Sequence, residues 1–184
     1  MAGDIAKVRK VLDEHPTVMS LPDKNDESTA LHVAAETGRA DIAELLITEG
    51  ADVNAETEVG WTPLHRAVDM NHPAIVKLLI AGGANVNARG QGNAPLHRAA
   101  FAGNTEMLRI LLEAQADIHA RGAEGWTALF FASCGGHVDA VELLISQGAD
   151  ITEEDASGRS PLDVAIRKGH EDVADLLRRS GATW

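Results

Sequence analysis

Histidine is the residue type in this sequence with the broadest chemistry, and the 184 residues include eight of them. Three of them, His32, His65 and His97, recur at intervals of 33 and 32 residues, each directly after a leucine. Imidazole nitrogens bind zinc only when each lies about 2 Å from the metal. Packed helices lie roughly 8–10 Å apart, so one histidine per repeated helix does not complete a zinc site. We therefore predict no metal site and no bound cofactor, and expect these rings to bond neighbouring backbone groups and threonine hydroxyls.

Two other groups contain residue types that act as nucleophiles, acids or bases in enzymes. A cysteine nucleophile needs a histidine within hydrogen-bond reach, and Cys134 and His137 lie three positions apart. The acidic run at 153–155 offers candidate general acids and bases, which need a cleft that perturbs their pKa. However, His137 fits the Gly-His opening of a helix, as His170 does, and the acidic run fits a solvated loop end. We therefore predict that the protein is not an enzyme.

The elements that position these residues form a sequence repeat. A hexapeptide centred on a leucine occurs five times with substitutions, as Thr29–Ala34, Thr62–Ala67, Ala94–Ala99, Thr127–Ala132 and Ser160–Ala165. The successive leucines are separated by 33, 32, 33 and 33 residues. Such a period indicates supersecondary units that stack and share one continuous core.

Each copy of the repeat predicts a pair of helices. In the second copy, Thr62 suits an N-cap and Pro63 suits the first helical position, where the missing N–H costs nothing. The first helix is expected to end near Met70, and Asn71 takes the place of the left-handed glycine found in the other copies. Residues 74–81 predict a second helix with an apolar face wide enough to pack on both neighbours.

The sequence resembles the ankyrin-repeat family over residues 3–182, because the hexapeptides are accompanied by the helix endings Gly50–Ala55, Gly83–Ala88 and Gly148–Ile151. The resemblance implies an all-α fold, an ankyrin-repeat solenoid of stacked helix-turn-helix units joined by β-turn fingers. We predict a single ankyrin-repeat domain over residues 1–184. Its parts are a half-repeat cap at 3–15 and full repeats at about 27–59, 60–91, 92–124, 125–157 and 158–182, the last of which is a C-terminal cap.

Composition and charge exclude several classes of function. The formal net charge is −12, whereas nucleic-acid binding depends on Lys and Arg side chains that neutralise phosphates. No apolar run reaches the roughly 18 residues of a membrane span, and the first ten residues contain no apolar signal-peptide core. A single cysteine, Cys134, excludes an internal disulfide framework. We therefore expect an intracellular, cytoplasmic protein that binds neither nucleic acid nor a membrane.

The two ends of the repeat array differ from its interior. Lys7 and Lys10 occupy positions that are apolar in the next repeat, and Arg178 does so near the C-terminus. A polar outer face on a terminal repeat keeps a solenoid soluble, so we predict a monomer. The half-repeat at 3–15 has no first helix, which indicates either a piece of a longer protein or a natural cap.

The family resemblance implies protein–protein recognition on the concave face, at the finger tips and at the exposed ends of the first helices. The positions of this kind that we predict to bind a partner protein or peptide are Val59, Trp61, Asp69, Met70, Arg89, Phe101, Arg121 and Trp126. Aromatic residues make up only 3% of the chain, and two of its three tryptophans are in this set. Interface hot spots favour tryptophan and arginine ringed by polar groups.

Two alternatives to partner binding remain open. Each tryptophan could cover the backbone of its own finger instead of meeting a partner. The repeats could also act as a structural spacer or scaffold segment within a larger multidomain protein. A spacer should carry no apolar cluster on its concave face, whereas a binding module should carry one.

The resemblance also implies a modification site. Ankyrin repeats that are hydroxylated at asparagine carry a Val-Asn pair with a leucine eight residues before the asparagine. Asn54 follows Leu46 at that distance, and Asn87 follows Leu79. We predict that both are substrates of an asparaginyl hydroxylase. The structural alternative is that the asparagine side chain ties its finger through hydrogen bonds.

Overall fold

The structure of the protein is a computed structural model that describes residues 2–183, so Met1 and Trp184, the outer limits of the predicted domain, lie outside the described residues. Within that range the chain forms eleven α-helices and two short 3₁₀-helices, and no β-strand. This architecture confirms the predicted all-α fold of repeated helix pairs. None of the helices in the described range is long and apolar enough to cross a membrane.

The helices alternate between two sets. The first helices of the repeats are α2 (Ala30–Glu36), α4 (Pro63–Asp69), α6 (Pro95–Phe101), α8 (Ala128–Gly135) and α10 (Pro161–Lys168). The second helices are α3 (Ala40–Thr48), α5 (Pro73–Ala81), α7 (Thr105–Glu113), α9 (Val138–Ser146) and α11 (Glu171–Arg179). Helix α1 (Ala2–Glu14) precedes them, and the 3₁₀-helices are Pro16–Ser20 and Ala123–Gly125.

Local signals in the sequence set the ends of the helices. Thr62 is the N-cap of α4 and Pro63 is its first residue, where a fixed φ and a missing N–H are both tolerated. At the other end of α4, Met70 is the C-cap and Asn71 follows with a φ of 58°. Gly136 has a φ of 73° at the end of α8. Both helices therefore end in a left-handed residue, which confirms that asparagine replaces the usual glycine in α4.

The first compact unit of the chain ends at Gln91. In this unit α2 packs against α4, α3 packs against α5, and α1 packs against α3, so the first and second helices form separate layers. Fully buried apolar side chains fill the space between these layers, including Leu31, Leu46, Leu64 and Leu79. Each such leucine contributes roughly 1.5–3 kcal/mol through burial, which explains why the motif leucines recur at a constant interval.

The second compact unit begins at Gly92 and has the same two layers. Helix α8 packs against α6 and α10, and α9 packs against α7 and α11. Its core includes Met107 and Phe130, both fully buried. Phe130 occupies the position of the motif histidine, so this repeat exchanges a hydrogen-bonding ring for apolar volume.

Three of the fingers that precede the first helices share one hydrogen-bond pattern. The N–H of Thr57 donates to the carbonyl oxygen of Trp61 at 2.8 Å, and the N–H of Gly122 donates to that of Trp126 at 2.7 Å. Asp155 makes the same contact with Arg159 at 2.9 Å. Each of these three fingers therefore places Trp61, Trp126 or Arg159 immediately before the N-cap of the next first helix.

Candidate protein-binding surface

Three of the histidines hold the first helices in place. The N–H of Thr29 donates to Nδ1 of His32 at 3.1 Å, which leaves Nε2–H to donate to the carbonyl oxygen of Trp61 at 2.9 Å. His65 and His97 accept the corresponding backbone N–H at 3.1 and 2.8 Å. The hydroxyl of Thr29 also lies 3.0 Å from the His32 ring. These contacts confirm that the rings bond backbone groups and threonine hydroxyls.

The described residues contain no group of three or more His, Cys, Asp or Glu side chains arranged to hold a metal ion. The environment of His32 also opposes a charged imidazole. Its ring is fully buried, and this burial lowers the pKa of His32 below its ordinary value. A buried neutral ring with both nitrogens hydrogen-bonded is a structural residue of the repeat.

Three other histidines join consecutive repeats, a role that the sequence analysis did not assign. His72, His137 and His170 each precede a second helix, and each bonds through Nε2 to a backbone carbonyl 36 residues earlier. The accepting carbonyls belong to Glu36, Phe101 and Cys134, at 3.2, 2.9 and 2.9 Å. The recurrent Gly-His pairs at 136–137 and 169–170 were the available sequence signal for this contact.

The ring of His137 also packs closely against the end of the preceding repeat. Gly103 has a φ of 67°, and a Cβ atom at this position would lie 2.5 Å from Cγ of His137. Glycine is therefore required at residue 103 for two reasons, the left-handed backbone and the space that the imidazole occupies.

The Cys134 thiol and the His137 ring do not form a catalytic pair. The Nε2 atom of His137 bonds the carbonyl oxygen of Phe101, and the carbonyl oxygen of Cys134 accepts from His170. Within the described residues, no hydrogen bond links the sulfur of Cys134 to His137. The geometry thus gives His137 a contact between repeats and leaves the half-buried thiol without an activating base.

An aromatic cluster lies on the second unit and consists of Phe101, Trp126 and Phe131. The ring centroids of Phe101 and Phe131 are 6.4 Å apart at an interplanar angle of 86°, and those of Trp126 and Phe131 are 5.3 Å apart at 67°. Such edge-to-face pairs contribute about 0.5–1.5 kcal/mol beyond the burial of their area. Phe101 is 54% exposed, while Trp126 and Phe131 are half-buried. The cluster therefore presents an apolar surface to solvent.

Two of the three residues in this cluster were predicted to bind a partner, and Phe131 was not. Phe131 lies one position after Phe130, where the other repeats carry Val33, Arg66, Arg98 and Val164. A second aromatic residue beside the altered motif was the only sequence signal for it. Its importance comes from tertiary structure, because its ring contacts both Phe101 at the end of α6 and Trp126 of the finger before α8.

The tryptophan of the cluster is fixed by the finger that follows it. The Nε1–H of Trp126 donates to Oδ2 of Asp155 at 3.0 Å, and the Arg159 guanidinium lies 5.9 Å from the ring centroid. Arg159 also donates from Nε to the same carboxylate oxygen at 2.8 Å, and the N–H of Ser157 donates to Oδ1 at 2.8 Å. Trp126 is therefore held in one orientation by a polar network at its edge.

The same network determines the charge of Asp155. Burial by itself raises the pKa of this carboxyl group, but the hydrogen bonds from the side chain and N–H of Arg159, from Ser157 and from Trp126 together hold it well below its usual range. Asp155 is consequently ionised at neutral pH although its side chain is almost completely buried.

The first unit contains a similar arrangement around Trp61. The guanidinium of Arg66 lies 5.0 Å from the Trp61 ring centroid and forms ion pairs with Asp26 at 3.3 Å and Glu36 at 3.8 Å. A Cβ atom on Gly90 would lie 2.6 Å from Cδ1 of Trp61. The half-buried indole therefore covers the backbone of the following finger, whereas the alternative from sequence placed it over its own finger.

The remaining residues of the predicted site differ in their exposure. Val59 and Met70 are 47% and 42% exposed, and Asp69 and Arg89 are also exposed. Arg121 donates to the carbonyl oxygen of Glu154 at 2.8 Å and pairs with Glu153 at 2.9 Å, so its guanidinium is engaged within the second unit. By position along the chain, Phe101, Arg121 and Trp126 belong to the second unit and the other five to the first. Partner binding by these residues stays a prediction.

Asn54 makes the contacts that the structural alternative to hydroxylation requires. Its Oδ1 accepts from the N–H of Asn85 at 2.7 Å, and its Nδ2 donates to the carbonyl oxygen of Gly83 at 3.2 Å. The side chain therefore links consecutive fingers, and yet it is exposed at the surface. Modification of Asn54 and Asn87 stays a prediction.

Comparison with known proteins gives two findings. A family model described as "Ankyrin repeats (3 copies)" matches the chain over residues 1–90, 55–122 and 96–183. A segment of 61 residues is 44% identical to part of the serine/threonine-protein kinase VIK of Arabidopsis thaliana. That segment is 33% of this chain and covers 14% of the length of the relative.

Proposed function

The chain belongs to the ankyrin-repeat family, and we propose that it binds a partner protein or peptide through the aromatic cluster of its second unit. Ankyrin repeats generally mediate protein–protein interaction and are typically non-catalytic. The observation that carries the proposal is an exposed Phe101 packed on Phe131, which in turn contacts Trp126. Exposed apolar clusters with a polar rim mark interaction sites.

The burial of exposed apolar area favours Phe101 as the anchor of the interface. Phe101 exposes half of its surface and rests on the edge of Phe131, so a partner that covers it removes apolar area from water without rearranging the core. Trp126 and Phe131 are held by internal contacts and supply a rigid base, which reduces the side-chain entropy lost on binding. Considered by itself, the first unit has exposed apolar side chains at Val59 and Met70, which we propose as contacts of that unit with a protein or peptide.

The second candidate function is a structural spacer or scaffold segment, for which the surface residues need no particular chemistry. The aromatic cluster argues against it, since a spacer gains nothing from an exposed phenylalanine. The two functions differ in what the Phe101→Ala variant should do. A spacer tolerates this change, whereas a binding module loses affinity.

The experiment compares partner capture by the wild-type protein with capture by Phe101→Ala and by Leu21→Ala. Leu21 is 60% exposed and lies outside the cluster, so it controls for the loss of an exposed apolar side chain. A partner identified by mass spectrometry should be retained by wild type and Leu21→Ala and lost with Phe101→Ala. Titration calorimetry should then show a loss of roughly 2 kcal/mol, about 30-fold, with unchanged circular dichroism. Equal affinity for all three proteins would exclude the cluster as the binding site.

A further inference from the structure

A pocket beside the aromatic cluster has an electrostatic character opposite to that of the chain. It has a volume of about 250 Å³ and is lined by Trp126, Arg159, Val164, Arg167 and Lys168. Three of these five residues are cationic, in a protein whose formal net charge is −12. The pocket is therefore a local positive site on an acidic molecule.

The three cations differ in how far they are neutralised. The guanidinium of Arg159 lies 2.6 Å from Oδ2 of Asp155, and its charge is largely used in that ion pair. Arg167 and Lys168 lie in the last turn of α10, and both are exposed. Among the described residues, no carboxylate forms an ion pair with either of them. Two positive charges at the pocket therefore have no internal counter-ion.

A purely structural role accounts for part of this arrangement. Cations in the last turn of a helix interact favourably with its dipole, and this effect is typically 0.3–1 kcal/mol. It does not require a concave surface or an adjacent indole. Trp126 lines the same pocket and contacts Phe131 of the aromatic cluster at 5.3 Å, so the basic site is continuous with the apolar surface.

We propose that this pocket binds an acidic peptide segment, in which carboxylate side chains pair with Arg167 and Lys168 while a neighbouring apolar side chain lies against Trp126. The inference rests on the proposed function, since it specifies the chemistry of the partner. Carboxylates are repelled by the rest of this acidic surface, so the charge pattern directs such a peptide to the pocket. Arg159 then fixes the indole through Asp155 rather than pairing with the ligand.

The test uses a fluorescein-labelled probe peptide, Gly-Ser-Leu-Glu-Glu-Leu-Glu-Gly, and a matched peptide in which every Glu is Gln. Fluorescence anisotropy measures affinity for the full chain, and the indole N–H signal of Trp126 in an ¹H–¹⁵N spectrum reports binding at the pocket. The Glu peptide should bind at least about tenfold more tightly than the Gln peptide and should shift the Trp126 signal. Binding should weaken as salt increases, because the screening length falls from about 10 Å at 0.1 M to about 3 Å at 1 M.

Two double variants separate the pocket from the overall charge. Arg167→Gln/Lys168→Gln should lower the affinity for the Glu peptide by about tenfold. Lys77→Gln/Arg109→Gln removes the same number of charges from exposed positions that do not line this pocket, and should change the affinity less than about twofold. Unchanged amide spectra away from the substitutions confirm that both variants are folded.

The outcomes are distinct. The proposal is overturned if the Gln peptide binds as well as the Glu peptide, or if Arg167→Gln/Lys168→Gln binds like wild type. Preferential binding of a phosphoserine peptide or of single-stranded DNA over the Glu peptide also overturns it, because the occupant would then be of another class. If the Glu peptide fails to bind while Phe101-dependent capture of a partner persists, the acidic-peptide inference falls and the proposed function stands.

Discussion

The indole Nε1–H of Trp126 donates a hydrogen bond of 3.0 Å to Oδ2 of Asp155, 29 residues later in the chain. The bond joins one finger to the next and brings the indole, the carboxylate and Arg159 into one network. It places a tryptophan at the border between the aromatic cluster and the basic pocket.

Asp155→Asn should destabilise the last repeat by about 1–3 kcal/mol, because the buried carboxylate accepts from Trp126, Arg159 and Ser157 and an amide cannot accept from all of them. The readouts are the urea midpoint and the hydrogen exchange of the amides of α10 and α11. Asp175→Asn is the control, since Asp175 is exposed and, among the described residues, its carboxylate forms an ion pair with Arg178 alone. This control should change stability by less than about 0.5 kcal/mol. Equal effects of the two substitutions would contradict the role of Asp155.

The difference in the free energy of unfolding between wild type and Asp155→Asn should depend on pH. The pKa of Asp155 is lowered in the folded protein. The stability that its ionised carboxylate contributes is therefore fully present above the unfolded pKa of about 3.9. It is lost as the pH falls from there toward the folded pKa. Urea unfolding at a series of pH values below neutral should show the two proteins converging in acid. A difference in stability that stays constant down to the lowest pH would contradict a lowered pKa for Asp155.

His32 should remain neutral well below the pH at which an ordinary histidine becomes charged. Burial lowers its pKa, so the unfolded chain binds a proton first and stability decreases as the pH falls below about 6.5. Above that pH the contribution of His32 to stability is complete. An NMR titration of the Cε1–H signal of His32 measures this directly. A midpoint for His32 at or above 6.5 would contradict the prediction.

Gly103→Ala should be more destabilising than Gly169→Ala. Both glycines have positive φ, 67° and 78°, so an alanine at either position costs roughly 1–2 kcal/mol in backbone conformation. A Cβ atom meets the His137 ring at position 103 and nothing within 4 Å at position 169. The clash should add about 1–3 kcal/mol at Gly103, measured by urea unfolding.

The double variant Gly103→Ala/His137→Ala tests the cause of this difference. With the imidazole gone, the added cost of Ala at residue 103 should fall to that of Gly169→Ala, so the two substitutions should be non-additive. Additive effects would show that the ring of His137 is not what residue 103 contacts.

Asn54 and Asn87 should each gain one oxygen atom when the protein is incubated with an asparaginyl hydroxylase and its co-substrates. Peptide mass spectrometry locates the modification, and Asn85, whose side chain accepts from the N–H of Asn87, is the unmodified control. Two peptides of unchanged mass would leave Asn54 with only its structural role, the link between consecutive fingers.

Much of the fold was predictable because its signals are local and repeated. The Thr-Pro start and the left-handed end of α4 depend on residues that are neighbours in sequence, and variants of both signals recur in the other repeats. Less of the candidate site was predictable. Phe101 and Trp126 were identified from their positions within the repeat, whereas Phe131 becomes significant only through contacts with both.

The sequence by itself determined the repeat period, the helix pairs and the family, since these follow from capping residues, glycine positions and the spacing of buried leucines. Tertiary structure alone decided which surface residues act together. Trp126 and Asp155 are 29 residues apart, and His137 bonds a carbonyl 36 residues away. A contact over one full repeat depends on the path of the finger and the packing of two helices. No local pattern encodes that geometry. Only the folded chain shows that Trp126 lines the basic pocket and also contacts Phe131 of the aromatic cluster, so that the two surfaces meet.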